Sequence, residues 1–192
     1  MKHFFWLLFL PTIVFAWATL GLFNEFPNRY FVETGSLRGE GVIEALRTGF
    51  TEIHSIELSP HYHSYCKDTF SHLPHVHFWL GDSATLLEEI IQKIDKPITF
   101  WLDGHYSGTD TAKGSRNTPI LQELAAIKRH PIKTHTILID DVRLFSSEEF
   151  DHISLSTVKQ LILEINPNYV ISFKDAFQER DILVATVPSP KE

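Results

Sequence analysis

ITFWLDGH, at residues 98–105, is the most diagnostic segment of this chain: an uncharged run of apolar and β-favouring residues that stops at Asp103, Gly104 and His105. A run without in–out alternation marks a strand covered on both faces. HSIEL at 54–58, VHFWL at 76–80 and TILIDD at 136–141 have the same form. Working outward, strands are predicted at Tyr30–Glu33, Glu52–Glu57, Val76–Leu80, Ile98–Asp103, Thr136–Asp140, Tyr169–Phe173 and Ile182–Val187. Helices are expected between them at Gly41–Thr48, His61–Leu73, Thr85–Ile94, Pro119–His130 and Ile153–Ile165. Pro119 suits a first helical residue, and Ser59 or Ser83 suits a cap. Regular strand–helix alternation means a parallel sheet with helices on both faces. KDAFQERD (174–181) reads as a turn, so the last two strands should form an antiparallel hairpin at one edge. The expected fold class is α/β, a doubly wound, seven-stranded, mostly parallel sheet.

The 192 residues are 43% hydrophobic and 21% charged, enough apolar content for one domain with a core, read here as residues 28–188. A net charge of −7 argues against a broad nucleic-acid-binding surface. The lone Cys66 excludes an internal disulfide and a cysteine-based structural zinc site, and is expected to be buried and inert. Residues 1–23 stand apart. Phe4–Phe23 carry no ionisable group and are long enough as a helix to cross a bilayer, while Ala16-x-Ala18 has the form of a cleavage site. The segment is therefore expected to be a signal peptide or a membrane anchor, with packing onto the domain as the alternative. The positive-inside rule would leave the domain outside.

In open α/β sheets ligands bind beyond the carboxyl ends of the strands. Here every one of the first five strands ends in an acid: Glu33, Glu57, Asp82 just past the third, Asp103, and the pair Asp140–Asp141. Random surface acids would scatter over both ends. After the first strand, ETGSLRGEG (33–41) is a glycine-rich turn in which Gly35, Gly39 and Gly41 permit close backbone approach to a ligand. Its spacing matches neither the dinucleotide nor the phosphate-loop fingerprint. Glu57 is placed to accept hydrogen bonds from ribose hydroxyls, and Asp82 with Ser83 to bind an adenine edge, although a helix cap is the plainer role for Asp82. Together with the glycine turn they outline an adenosine pocket.

The ordered set ETGSLRG (33–39), IELS (56–59), GDS (81–83), WLDGH (101–105) and ILIDD (137–141) resembles the class I S-adenosylmethionine-dependent methyltransferases. Among these it is most similar to the metal-dependent, macrocin-type sugar O-methyltransferases. The resemblance covers roughly residues 30–187 and implies a Rossmann-like sheet of seven strands. It implies that Glu33 belongs to the cofactor-binding set, that Gly35, Ser36 and Gly39 lie against the cofactor's methionine part, and that Glu57 holds its ribose and Asp82 with Ser83 its adenine. It also implies that Asp103, Asp140 and Asp141 hold a divalent metal, for which Mg²⁺ is the natural ion where carboxylates converge. The expected reaction is methyl transfer to a hydroxyl of a small molecule, a sugar being one candidate.

The chain departs from the family where an acid usually follows the first metal ligand by two positions, and His105 stands there instead. His105 suits a general base, a metal ligand or a substrate contact, and Asp103 is the rival base. The polar loop 106–118 should carry specificity, with Tyr106, Lys113 and Arg116 as candidate substrate contacts. Two other classes stay in view: a catalytically inactive methyltransferase-fold binding protein and, more weakly, an NAD-dependent oxidoreductase. The cofactor is a cytosolic metabolite, whereas the first segment points to export or anchoring. Trp79 and Trp101 are expected in central strands as core, and a second metal site among the clustered histidines is not expected.

Overall fold

A computed structural model describes residues 21–108 and 111–188. Seven strands are present: β1 (Tyr30–Thr34), β2 (Glu52–Glu57), β3 (Val76–Leu80), β4 (Ile98–Leu102), β5 (Thr136–Ile139), β6 (Val170–Lys174) and β7 (Ile182–Thr186). Each lies within one residue of its expected bounds. The α-helices are α1 (Glu40–Thr48), α2 (Pro60–Thr69), α3 (Ser83–Ile91), α4 (Ile120–Arg129) and α5 (Leu155–Ile165). All seven strands form one sheet in the order β3-β2-β1-β4-β5-β7-β6, with β7 antiparallel to both neighbours. The hairpin is thus not simply appended: β7 slots in beside β5 and leaves β6 at the edge.

Helix ends follow local chemistry rather than the apolar period. Ser59 caps α2, accepting from the Tyr62 amide at 3.5 Å. The helix stops at Thr69, short of the expected Leu73, because Leu73 precedes Pro74 and is biased out of the helical region. Asp82, not Ser83, caps α3, its Oδ1 accepting from the Ala84 amide at 2.9 Å. Pro119 sits one place earlier than expected, in the N-cap position of α4. Ser154 caps α5, accepting from the Thr157 amide at 3.1 Å.

Alternate residues of the inner strands feed two cores. Val32, Phe100, Leu102, Ile137 and Ile139 pack with Leu87, Leu124, Ile127 and Ile162 from α3, α4 and α5. Phe31, Ile53, Trp101 and Leu138 pack with Val42, Ala45, Cys66 and Phe70 on the α1–α2 side. That second core also takes in Leu22 and Phe23, so the packed unit reaches upstream of residue 28. The anchor or signal reading rests on residues 1–23, of which 1–20 lie outside the described residues. Among the described residues no helix is long and apolar enough to cross a membrane. Trp101 is core as expected, but β3 proves to be an edge strand and leaves Trp79 only half-buried.

The chain winds outward from β1 to β3, then resumes at β4 on the other side of β1. The crevice between β1 and β4 is the topological switch point of the sheet.

Candidate active site

The parallel register sets Thr34 level with Ile56 and Leu102, and Leu102 level with Ile139. Residues that follow these strands therefore emerge along one rim. At the switch point, the Gly35 amide donates to the Ile56 carbonyl at 2.9 Å with φ at 84°. A Cβ at Gly35 would overlap the Asp103 carbonyl oxygen, so only glycine lets β1 and β4 close up here. A Cβ at Gly41 would in turn overlap Glu33, whose carboxyl lies against the start of α1.

Above the rim opens a cleft of about 1330 Å³, its solvent-open mouth included. Of the expected site residues, Glu33, Gly35, Ser36, Glu57, Asp82, Ser83, Asp103, His105 and Asp140 line it. Gly39 and Asp141 do not. Gly39 caps α1 with its α-carbon turned toward the Phe70 ring and Cys66. Asp141, in the left-handed region at φ 59°, is buried behind the wall. Tyr106 and Arg116 line the cleft as expected, whereas the Lys113 ammonium lies over the Tyr106 ring at 5.3 Å.

The carboxylates on the β1–β3 side are held by hydrogen-bond donors. Glu57 accepts from the Leu37 amide at 2.8 Å and the Ser59 amide at 2.7 Å, one at each oxygen. Ser36, Ser55 and Glu33 form a chain of 2.5 Å hydrogen bonds, with the Ser55 hydroxyl donating to Glu33. Burial pushes the Glu33 carboxyl well above its usual range, against the lowering effect of Ser55, and nearby Asp103 adds to the rise. The Ser83 hydroxyl donates at 2.6 Å to Glu123 of α4, a fully buried carboxyl pushed up to about 7, chiefly by burial.

The β4–β5 side is organised differently. The expected set Asp103, Asp140 and Asp141 does not gather into one group. Two groups form, Asp103–His105–Asp141 and Asp140–Asp141–Asp181, each with donor atoms within 4.8 Å of one another, and they share Asp141. His105 Nδ1 lies 3.1 Å from Asp141 Oδ2 and 3.6 Å from Asp103 Oδ1, while the other ring nitrogen meets the Ser107 hydroxyl at 3.0 Å. Arg143 forms close ion pairs with both Asp141 and Asp181. Burial, then the neighbouring acids, raise the Asp140 carboxyl well above its ordinary value. Asp141 is raised for the same reasons, with His105 and Arg143 opposing. Burial alone would lower the His105 pKa, but the hydrogen bond and charge of Asp103 and the charge of Asp141 outweigh it and raise it.

Sequence reasoning missed Arg143, Asp181 and Glu123. Two of these left a signal. Arg143 is the first cation after the Asp140–Asp141 pair. Asp181 immediately precedes β7, and an antiparallel strand begins at the end of the sheet where the parallel strands finish.

No protein-family profile and no curated protein matches the sequence. Solved structures do. An O-methyltransferase from Bacillus cereus, in complex with SAH, superposes with a TM-score of 0.60 at 16% identity, over 93% of this chain and 82% of its own. A candidate caffeoyl-CoA O-methyltransferase from Staphylococcus aureus gives 0.57 at 13% identity over 93% and 84%. A candidate S-adenosylmethionine-dependent methyltransferase from Listeria monocytogenes gives 0.51 at 13% over 85% and 93%. At these identities the likeness establishes the fold, which is the Rossmann-like fold of the class I methyltransferases.

Proposed function

We propose that the cleft binds S-adenosylmethionine and that the protein transfers its methyl group to a hydroxyl of a small molecule. The observation that carries this reading is the charge of the cleft. Glu40, Glu57, Asp82 and Asp103 line it, beside the raised carboxyls of Glu33 and Asp140, against Arg116 as its one Lys or Arg among the described residues. A cleft of that sign suits a ligand bearing a sulfonium and an ammonium, and repels the pyrophosphate of a nicotinamide dinucleotide. The oxidoreductase reading is correspondingly weak. The fold shared with methyltransferases, one of them solved with SAH, adds support.

Glu57 keeps lone pairs beyond its two backbone donors for ribose hydroxyls, and the Asp82 Oδ2 is left by the cap for an adenine edge. S-adenosylmethionine supplies an electrophilic methyl group, so the protein's task is alignment and removal of a proton. With Nδ1 turned to Asp103 and Asp141, His105 presents Nε2 as acceptor, the position now taken by the Ser107 hydroxyl. A substrate hydroxyl in that position would give its proton to Nε2, and the two acids would stabilise the imidazolium. Asp103 is then an orienting group and His105 the base.

A divalent metal suits the same wall. The two oxygens of buried Asp141 are met only by the side chains of Arg143 and His105, and four acids there share those two cations. Asp103 and Asp140, which line the cleft, would hold an oxygen-seeking ion such as Mg²⁺, with Asp141 completing the set once released from Arg143, and the ion would lower the pKa of an acceptor hydroxyl. A sugar acceptor rests on the family resemblance alone.

Calorimetric titration with S-adenosylhomocysteine, with and without Mg²⁺, is the first test. Absence of binding in both conditions overturns the proposal. Binding without methyl transfer to a panel of sugars and catechols would favour the inactive binding fold.

A further inference from the structure

Apart from the acids described above, one more group of metal-capable side chains occurs among the described residues: Glu52 and His54 on β2 and His77 on β3. It lies on the sheet face toward α3, at the edge of the sheet, and nothing in the proposed reaction uses it. We propose that Glu52, His54 and His77 form a binding site for a zinc-class divalent ion.

The backbone builds this arrangement. His54 and His77 are direct partners in the parallel β2–β3 register, and Glu52 precedes His54 by two, so all three project from one face. One donor atom from each lies within 4.8 Å of the others. His77 Nε2 and Glu52 Oε2 are 3.3 Å apart, and the two imidazole rings stack at 4.8 Å between centroids. Around a tetrahedral zinc with bonds of about 2.0–2.1 Å the donors stand about 3.3 Å apart, which small rotamer changes can reach. Because β3 is the outermost strand, the His77 and Glu52 side chains are 40% and 32% exposed, which gives an ion a path of entry.

Donor chemistry selects the ion. Two imidazole nitrogens and one carboxylate oxygen suit Zn²⁺, and also Cu²⁺ or Ni²⁺, while Mg²⁺ and Ca²⁺ prefer all-oxygen sets. Water would fill the remaining position. The bonds to be displaced are weak: His77 to Glu52 at 3.3 Å, and the Trp79 indole N–H to His54 Nδ1 at 3.3 Å. Lys93 places its ammonium 5.7 Å from the ring of that Trp79. The Trp79 bond also provides a reporter.

Zn²⁺ is titrated into the full chain in competition with a chromophoric chelator. One equivalent should bind, not displaced by excess Mg²⁺ and unaffected by Asp140→Asn. Affinity should fall at least about tenfold in His54→Ala and in His77→Ala. Cu²⁺ should quench a share of the tryptophan emission that disappears in Trp79→Phe and in His77→Ala. His77→Ala alone decides the matter if His54→Ala fails to fold, since the His77 side chain is the more exposed. Absence of zinc binding, or zinc binding unchanged in His77→Ala, overturns the site and marks the ion as adventitious.

Discussion

The two halves of the cleft carry the same kind of side chain under opposite conditions. On the β1–β3 side, Glu57 is met by two backbone amides and Asp82 by one. On the β4–β5 side, Asp140 and Asp181 each accept one backbone amide, but four acids, Asp103, Asp140, Asp141 and Asp181, crowd together and their charge is balanced by two side chains, Arg143 and His105. Backbone donors are fixed by the fold and hold their acceptors whatever ligand is present. Side-chain cations move and titrate, and a metal can replace them. On the function proposed above, the first half would be a preformed binding surface and the second a store of charge, a division suited to holding one reactant still while activating another.

Removing the cation from the second half should have the largest effect. Arg143→Leu leaves buried Asp181 without a cation and buried Asp141 with His105 alone, and should cost roughly 3–5 kcal/mol of stability. Urea denaturation with and without Mg²⁺ measures it. Partial rescue by Mg²⁺ would show that the acids can exchange one cation for another. A loss under about 1 kcal/mol would break the contrast, since the acids would then not depend on Arg143.

Glu123 lies beneath the boundary of the two halves, bonded to Ser83. Burial raises it from 4.5 in the open chain to about 7 when folded. Between these values the folded form keeps a proton that the unfolded form has released, so stability falls as pH rises through the window. The loss amounts to about 3 kcal/mol, complete near pH 7. His135, lowered to about 3 mainly by burial, gives the opposite slope below 6.5. The difference between Glu123→Gln and the parent protein isolates the glutamate. Urea unfolding across this pH range should show a flatter fall, or a steeper rise, in the variant, and parallel curves would mean that Glu123 is not a buried acid.

Glu57→Ala tests the preformed half. Two amides lose their acceptor, which should cost about 1–3 kcal/mol. Affinity for S-adenosylhomocysteine should fall at least about tenfold by calorimetry, that is, by about 1.4 kcal/mol or more. A loss of stability with unchanged affinity would reduce Glu57 to a structural role.

How legible each half was follows from the same physics. The sheet was readable because burial on both faces forces unbroken apolar runs, as in Ile98–Leu102, and the acids at strand ends stand out against them. Glu57 and Asp82 follow from their strand-end positions, since the amides that hold them belong to adjoining turns. The second half depends on approach between distant segments. Arg143 and Asp181 are 38 positions apart, and no local period records their pairing. Asp140 and Asp141 are adjacent in sequence, yet a left-handed turn at Asp141 sends one to the cleft and the other behind it. The pairing of the Ser83 hydroxyl with Glu123 escaped notice for a related reason: the two are 40 residues apart.

The smallest effect should come from Ser107, and it bears on how the second half would work. Its exposed hydroxyl meets His105 at 3.0 Å, in the position assigned above to the acceptor. If that hydroxyl only fills a place the substrate takes over, Ser107→Ala should alter stability by less than about 0.5 kcal/mol. The acceptor's KM should stay level or fall slightly, with kcat unchanged. If Ser107 instead relays the proton, kcat should drop with KM steady, and His105 would act on the substrate through a hydroxyl instead of directly. Steady-state kinetics on an acceptor identified by the transfer assay separates the two, because displacement changes the ground state whereas a relay acts in the transition state.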